Sequence, residues 1–591
     1  MNIIDGEKLY YGFFSGEKEV LKRRNHLNKI NVFPVADGDT GTNLVHTMHS
    51  ITEGSRAESS VANVSRDMAS AALIGSRGNS GIIFAQFLQG VHDSVKDKIE
   101  LNVKDFVNAA KRGVDFAYMS VTHPVEGTIL TVMKSWSDSL HSLHEKTNDF
   151  VELISHSIDA AKIALSETPK KLKVLRDAGV VDAGAEGFVH FIEGFLHFIR
   201  SGIKPKSSDT EQLALPKEKS HKFDKYKKLE YRYCTEGMVN STRLTTDQLR
   251  EMLSEYGESL IVAGSTQVVK FHIHTNNPSE IFYGLRKFGL ITQSKVDDMQ
   301  RQSETQFKRK SSIALVIDST CDLPQSILDK YQIHLIPINL TCGEHHYLDK
   351  LAVTPDQFYS MLDEEGFVFS TSQPPVKTFE NFYSSLLEHY DAIISLHLSQ
   401  VLSGTYNAAK LAAEKFPNEK IAVINTKSIS SGAGLMAQRV AEEIERKKSF
   451  EEIVALTKTL SAKTHLLVSV KTLKYMVRSG RVSPLKGFIA NLLKLKPIVS
   501  LDKNGASTLS GKAFSEQANI NKIVSKIAEH NKTKPILRYA IGHVHCDKEA
   551  VAFSEKIEKA IGKSAEYIMD ISPAIGGHVG IGALSVCFIE E

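Results

Sequence analysis

NVFPVADGDTGTNL (31–44) sets two carboxylates, Asp37 and Asp39, two residues apart in a glycine-rich turn. In an extended backbone that spacing turns both side chains to one side. Hard oxygen ligands so placed suit magnesium, which keeps several waters and bridges to nucleotide phosphates. Gly38 and Gly41 permit a tight turn, and Thr40, Thr42 and Asn43 lead into a helix whose N-terminus favours phosphate. The same residues also suit an Asx-turn that merely caps the helix, and this stretch alone does not separate the two.

Working outward, residues 1–202 carry apolar side chains at three- and four-residue spacing. VSRDMASAALIGSRGNSGIIFAQFLQGVHDSV (64–95) and VELISHSIDAAKIALSE (151–167) predict a helical domain. GSRGNSG (75–81) interrupts the pattern with three glycines in seven residues. Each costs about 1 kcal/mol inside a helix. Close backbone approach to a phosphate, with Asn79 and Ser80 donating, supplies a reason for them. PVEGTILTV (124–132) puts Thr128 at a helix start, and GVVDAGAEGF (179–188) places Asp182 in a glycine-flanked turn.

Residues 203–228 are polar, Lys-rich and without periodicity, as expected of a linker. Over 229–295, YRYCTEGMV (231–239) and SLIVAGSTQVVKFHIHT (259–275) alternate like strands around the helix-like TTDQLREMLSEYG (245–257), predicting a small α/β domain. His272 and His274, two apart on a strand, share a face. With the Cys234 thiolate opposite they make three ligands of a tetrahedral zinc site with one position open. Ordinary buried histidines and a buried cysteine are the plainer account, and the residues alone favour it. A charged stretch, 296–311, is expected as a second linker.

From residue 312 the pattern alternates again. SIALVIDST (312–320), DAIISLHL (391–398) and KIAVINT (420–426) predict strands; LSGTYNAAKLAAEKF (402–416) and SGAGLMAQRVAEEIERK (431–447) predict helices. The alternation implies a mostly parallel sheet with ligands at the strand C-termini, and residues 486–591 are expected to form a second lobe. An anionic group held in this part of the chain would need several donors, or its desolvation would cost several kcal/mol. Thr371, Ser403, Arg481 and His578 supply two hydroxyls, a permanent cation and a titratable donor. Singly, Ser403 could cap a helix, Arg481 decorate a surface and His578 fill a loop.

With 591 residues the chain is too long for one core. Its 72 Lys and Arg against 69 Asp and Glu leave a net charge of +3, which argues against a nucleic-acid partner. Five scattered cysteines make no disulfide framework. MNIIDGEKLYYGFF (1–14) lacks a basic region followed by an apolar run, and no stretch reaches eighteen uncharged apolar residues. A cytoplasmic chain with no transmembrane segment is expected.

The four N-terminal segments, in this order and spacing, resemble the nucleotide-binding domain of the dihydroxyacetone-kinase type, in the form found in bacterial fatty-acid kinase. That resemblance implies an all-α helical barrel holding ATP and two magnesium ions at one rim. On matching positions Asp37 and Asp39 would be metal ligands, and Asn31 stands near a third ligand position that is acidic in relatives. Thr40, Thr42, Asn43, Asn79 and Ser80 would touch phosphates, with Thr128 in the cofactor-binding set and Asp182 by the nucleoside. The fourth segment departs from DAGGxG at Ala185 and Glu186.

The middle segment resembles the middle domain of the same kinase family in its Cys-Thr-Glu and His-x-His-Thr patterns, implying that Cys234, His272 and His274 hold a metal, with zinc the expected ion. Residues 313–591 resemble the DegV family, whose members bind a fatty acid between two α/β lobes. The matching motifs are ALVIDSTCDLP (314–324), STSQPP (370–375), LSGTYNAA (402–409), RSGRVS (478–483), LKLKPIV (493–499) and IGGHVGIGAL (575–584). Thr371 and Ser403 would then hold the carboxylate, with Arg481 and His578 near the headgroup. The last motif departs from IGTHTGPG at Gly577, Val579 and Ile581.

Together these resemblances imply ATP-dependent phosphorylation of a bound fatty acid to an acyl phosphate that feeds phospholipid synthesis. Asp37, Asp39 and Arg481 are the expected catalytic residues. With an ordinary pKa of about 4 a carboxylate is already an anion, so no general base is required. The barrier is the meeting of two anions, which magnesium and an arginine relieve. Fatty acid and ATP are the expected partners, with an acyl-phosphate-using acyltransferase, a homodimer and transient membrane contact left open. Two alternatives stand beside this: a lipid-binding regulatory protein with a vestigial nucleotide domain, and a kinase of a small hydroxylated substrate such as dihydroxyacetone.

Overall fold

The structure, a computed structural model, describes every residue except 37, 206–228, 265–266, 363, 365, 473–474 and 477–495. Most of the expected 203–228 linker, Asp37 and Arg481 therefore lie outside the described residues. The chain divides into two compact units. Residues 1–276, 288–290 and 297–303 form the first; 277–287, 291–296 and 304–591 form the second.

The first unit opens with ten helices: α1 (Gly6–Lys29), α2 (Thr40–Gly54), α3 (Val61–Gly75), α4 (Gly78–Val95), α5 (Val103–Ser120), α6 (Ile129–Leu143), α7 (Phe150–Ser166), the short α8 (Thr168–Lys171) and α9 (Lys173–Ala178), and α10 (Ala183–Ser201). From α1 to α7 each helix packs on the next, α7 packs on α10, and α10 returns to α1. The ring closes into the helical barrel expected. Local chemistry starts the helices: Ser60, Asn102 and Asp149 accept backbone N–H groups of α3, α5 and α7 as side-chain caps. Aromatic rings fill the interior, with Phe191 of α10 at 4.9 Å from Phe13 and 5.0 Å from Phe84, centroid to centroid.

The middle domain contributes β3 (Tyr233–Asn240), α11 (Thr246–Ser254), β4 (Gly257–Gly264) and β5 (Val268–Thr275), numbered after the short antiparallel pair β1 (Ile4–Asp5) and β2 (Glu100–Leu101). β5 pairs antiparallel with both β3 and β4. A capping box of Thr245 and Gln248 opens α11. Ile261 and Ala263 of β4 join the apolar core of the barrel, and the Thr122 N–H donates to the Leu260 carbonyl. The stretch 296–311 is no linker: it carries the end of β6 (Leu290–Asp298) and a helix, Met299–Phe307. Asp298 there is paired, while Lys308, Arg309 and Lys310 are exposed. Arg232 contacts Asp298 at 2.6 Å, and the other Asp298 oxygen accepts the Arg301 N–H.

The second unit holds two main sheets. The first is parallel throughout, in the order Lys420–Asn425, Ala392–His397, Ile313–Asp318, His334–Ile336. Helices Val376–Leu387 and Thr405–Ala413 bury Phe379, Tyr383, Ala408 and Ala412 against it. The second runs Ser507–Ala513, Lys496–Leu501, Thr464–Ser469, Leu584–Glu590, Ile536–His543, Ile568–Asp570. Here only the last pair is parallel. Lys496–Leu501 and Ser507–Ala513 are joined by a short connection, which a parallel pair cannot use. This lobe also begins earlier than residue 486, at Thr464. A small antiparallel sheet pairs Asn339–Cys342 with His345–Leu348 and Phe369–Ser372.

Candidate functional site

Asp39 stands at the N-cap of α2, yet its carboxylate makes no capping hydrogen bond. Asn28 of α1 organises that helix start instead. Its Oδ1 accepts the Thr42 N–H at 3.0 Å and its Nδ2 donates to the Thr42 hydroxyl at 3.0 Å. The fit leaves no room for a side chain at Gly41, whose Cβ would stand 2.8 Å from Asn28 Oδ1. Asn31 is buried and Thr40 half-buried at the first turn.

Contacts link the four segments in a chain. Gly78 has φ +61°, and a Cβ there would meet the Asn43 amide nitrogen at 2.7 Å, which joins the first segment to the second. A Cβ on Gly184 would stand 3.3 Å from Ser80 Cβ, joining the second to the fourth. Asp182 caps α10 by accepting the Ala185 N–H at 2.8 Å, and α10 packs on α6, joining the fourth to the third. Burial pushes Asp182 up to about 6. The Thr128 hydroxyl donates to the Val125 carbonyl at 2.8 Å, so the polar groups of Thr128 and Asp182 are both engaged within the protein.

Asn79 differs. Its Oδ1 is buried and, among the described residues, has no hydrogen-bond partner. An amide oxygen left so costs about 1–3 kcal/mol. A cation, a cation-bound water, or a phosphate against the flipped amide would satisfy it. Both signs of charge meet the loop: Lys270 of β5 donates to the Ser76 carbonyl, Arg77 lies within it, and the Glu236 carboxylate accepts the Gly78 N–H. His46 bonds the Gly75 carbonyl at 3.2 Å, and burial, reinforced by Arg77, pushes it down to about 4.

On the middle-domain sheet, Cys234 sits opposite His274 and Glu236 opposite His272. Cys234 Sγ lies 3.7 Å from His272 Nδ1, and the ligand atoms of Cys234, His272 and His274 all fall within 4.8 Å of one another. His272 Nε2 and His274 Nδ1 are buried without a hydrogen-bond partner among the described residues. Burial, with His272 alongside, pushes His274 down to about 3, so it is neutral at physiological pH. Satisfied core histidines would not look like this. A thiol and two imidazoles with buried, unshared nitrogens suit zinc.

In the second unit, Thr371 Oγ1 lies 3.5 Å from His578 Nε2, and the Phe369 ring stacks near that imidazole at 5.1 Å. His578 stands in the helix Pro573–Val579, not in a loop. Ser403 is not the N-cap of its helix, which is Gly404; its hydroxyl bonds Thr405 Oγ1 at 2.9 Å, and Gly404 packs on Gln373 of the STSQPP loop. The structure thus brings Thr371 and His578 together and sets Ser403 on the adjoining loop.

Residues 34–197 match the DAK2 domain, 230–306 the fatty acid kinase A-like middle domain, and 312–591 the DegV family, described as uncharacterised proteins. The chain joins a DAK2 domain, a fatty acid kinase A-like middle domain and a DegV domain. An uncharacterized protein of Staphylococcus saprophyticus is 33% identical over 317 residues, 52% of this chain and 57% of that protein. Protein YloV of Bacillus subtilis is 32% identical over 325 residues, 53% of this chain and 58% of its own. The chain thus spans a little over half the length of these relatives. A fatty-acid-binding DegV family protein of Thermus thermophilus is 29% identical and covers 47% of this chain and 99% of its own, with a TM-score of 0.45. DegV of Bacillus subtilis, a fatty acid binding protein, is 29% identical over 48% of this chain and all of its own, with a TM-score of 0.44.

In the DAK2 domain, the departure at Glu186 has a structural account: its carboxylate pairs with His26 at 3.2 Å and His190 at 3.5 Å. In the DegV domain, buried Asp322 and Asp349 hold the His578 helix. Asp322 accepts the Ser572 N–H and Asp349 the Ala574 N–H, while Lys350 pairs with Asp322 at 2.7 Å. Sequence reasoning passed over Asn28, Lys270 and Glu236. For Glu236 a signal existed, since it stands two residues from Cys234 and so shares its face. Among the described residues no helix is long and apolar enough to cross a membrane.

Proposed function

We propose that the chain is a fatty-acid kinase that transfers the γ-phosphoryl group of ATP to the carboxylate of a bound fatty acid, forming an acyl phosphate. The DAK2, fatty acid kinase-like and DegV domains support a fatty-acid kinase or binding role, and their union in one chain is the observation that carries the proposal. Asp39, with Asp37, would hold magnesium, which supplies charge neutralisation for the transferred group. Asn43, Asn79 and Ser80, gathered where α2 and α4 begin, would receive phosphate oxygens. The Thr371 hydroxyl and His578 would hold the carboxylate headgroup, and Arg481 would offset the charge of two approaching anions. No side chain has to remove a proton, since the acceptor is already ionised.

The test is trapping. Full-length protein with magnesium, ATP and oleate should yield a hydroxamate when hydroxylamine captures the acyl phosphate. Dihydroxyacetone in place of oleate should consume no ATP beyond background. Turnover with dihydroxyacetone and no oleate hydroxamate would hand the function to the alternative kinase. ATP untouched with either would leave a lipid-binding regulator.

A further inference from the structure

We infer that Glu236 makes the Cys/His cluster a control on nucleotide binding: metal held by Cys234, His272 and His274 sets the position of the Gly78 amide at the phosphate loop. This deepens the function proposed above and rests on its nucleotide site.

The path is short and buried. Cys234 Sγ lies 3.7 Å from His272 Nδ1, His272 Nδ1 lies 3.5 Å from Glu236 Oε1, and Glu236 Oε1 accepts the Gly78 N–H at 2.9 Å. Glu236 is 4% exposed, His272 2% and His274 3%. In that setting water does not solvate the carboxylate, so its hydrogen-bond donors and positive neighbours hold it in position. Gly78 cannot absorb a displacement quietly. It sits at φ +61° and packs directly on Asn43, so moving its amide moves the start of α4.

The same face of the sheet grips the loop a second time. Lys270, two residues before His272 on β5, donates to the Ser76 carbonyl. Ser76 and Gly78 are thus held from one sheet, by a cation on a carbonyl and a carboxylate on an amide. A dication at the cluster would pin the His272 ring and supply the positive charge that Glu236 faces. Without it Glu236 faces a ring with no fixed orientation, and the Gly78 amide loses its anchor. The amide at a helix start is the kind of group that receives a phosphate, so metal occupancy and nucleotide affinity are coupled, and the coupling is reciprocal.

Zinc-loaded and chelator-stripped full-length protein are titrated with magnesium and ADP by calorimetry, with zinc content read by elemental analysis. Wild type should bind ADP about tenfold more tightly when loaded, within the range usual for allosteric coupling. Amide hydrogen exchange at residues 76–80 should slow in parallel. In Glu236→Ala zinc should remain, because all three ligands do, while ADP affinity becomes low and indifferent to zinc. Glu236→Gln, which still accepts from Gly78 but carries no charge, should fold normally and show a reduced zinc dependence. Equal zinc dependence in wild type and both variants would overturn the inference, as would wild type that holds zinc with no effect on ADP, or holds none. Wild type that binds no ADP in either state would instead bring down the nucleotide site itself, and this inference with it.

Discussion

Asn43 of the first motif lies directly against Gly78 of the second: a methyl group on Gly78 would come within 2.7 Å of the Asn43 amide nitrogen. That contact joins the starts of α2 and α4. Gly78→Ala would meet both the clash and a left-handed backbone, which costs a non-glycine residue about 1–2 kcal/mol. Nucleotide affinity is expected to fall at least about tenfold, the factor that 1.4 kcal/mol represents, and denaturant stability to drop by a similar energy. Calorimetry and urea unfolding check the two together. Normal ADP binding in this variant would mean that the site tolerates a shift of α4.

Asp39 stands at the N-cap of α2, and its carboxylate makes no capping hydrogen bond there. Asp39→Asn keeps the shape and removes the charge. Acyl-phosphate formation is expected to fall below detection while fatty acid still co-purifies in full. The hydroxylamine trap and a lipid extract read by mass spectrometry measure the two outcomes. A variant that turns over normally would remove Asp39 from the metal site.

Thr371 faces His578 across 3.5 Å in the DegV domain. Thr371→Val keeps the volume and deletes the hydroxyl. A hydrogen bond to a charged group contributes about 1.5–3 kcal/mol, so fatty-acid affinity is expected to weaken by roughly 10- to 150-fold. ATP binding by the DAK2 domain should be untouched. Displacement of a fluorescent fatty acid provides the measurement, and unchanged affinity would place the headgroup elsewhere.

His190 answers to pH. Burial alone would lower it, but the carboxylates of Glu186 and Glu193 raise it to about 9. Its unfolded value is about 6.5. A raised basic group stabilises the fold fully below its unfolded value and loses that contribution as pH rises through the folded one. The helical domain should therefore weaken between about pH 6.5 and pH 9. His190→Gln should flatten that part of the curve. Urea midpoints for both proteins across this range, with the His190 resonance followed by NMR, check it; superimposable curves would remove His190 as the cause.

Much of this was legible in the residues. Helical spacing in residues 1–202 anticipated a helical domain because an amphipathic stripe is a local property, and the motifs' order anticipated a closed barrel through resemblance. Alternation on YRYCTEGMV and VVKFHIHT put Cys234, His272 and His274 on strands, and period two settled their shared face. The stretch 296–311 misled. It carries a strand end and a helix, and Asp298, which looks solvated in sequence, pairs there with Arg232. The second lobe's start misled likewise: its sheet takes in Thr464–Ser469, and whether its strands pair parallel or antiparallel depends on the route of the chain between them. Thr128 and Asp182 kept their places, yet their polar groups turned out to be engaged within the protein.

By itself the sequence determined which stretches are helical or alternate like strands and which short motifs bear charge, glycine and sulfur, since these depend on composition, periodicity and spacing over a few residues. Only the tertiary structure decided how those motifs meet. Gly78 and Glu236 stand 158 residues apart, and nothing local to either marks the other. Their hydrogen bond exists because β4 buries Ile261 and Ala263 in the barrel core, which carries β3 and β5 against the loop. Apolar burial is non-directional and selects no partner by itself. The match of one buried carboxylate to one backbone amide does, and that match appears only once the two domains have packed.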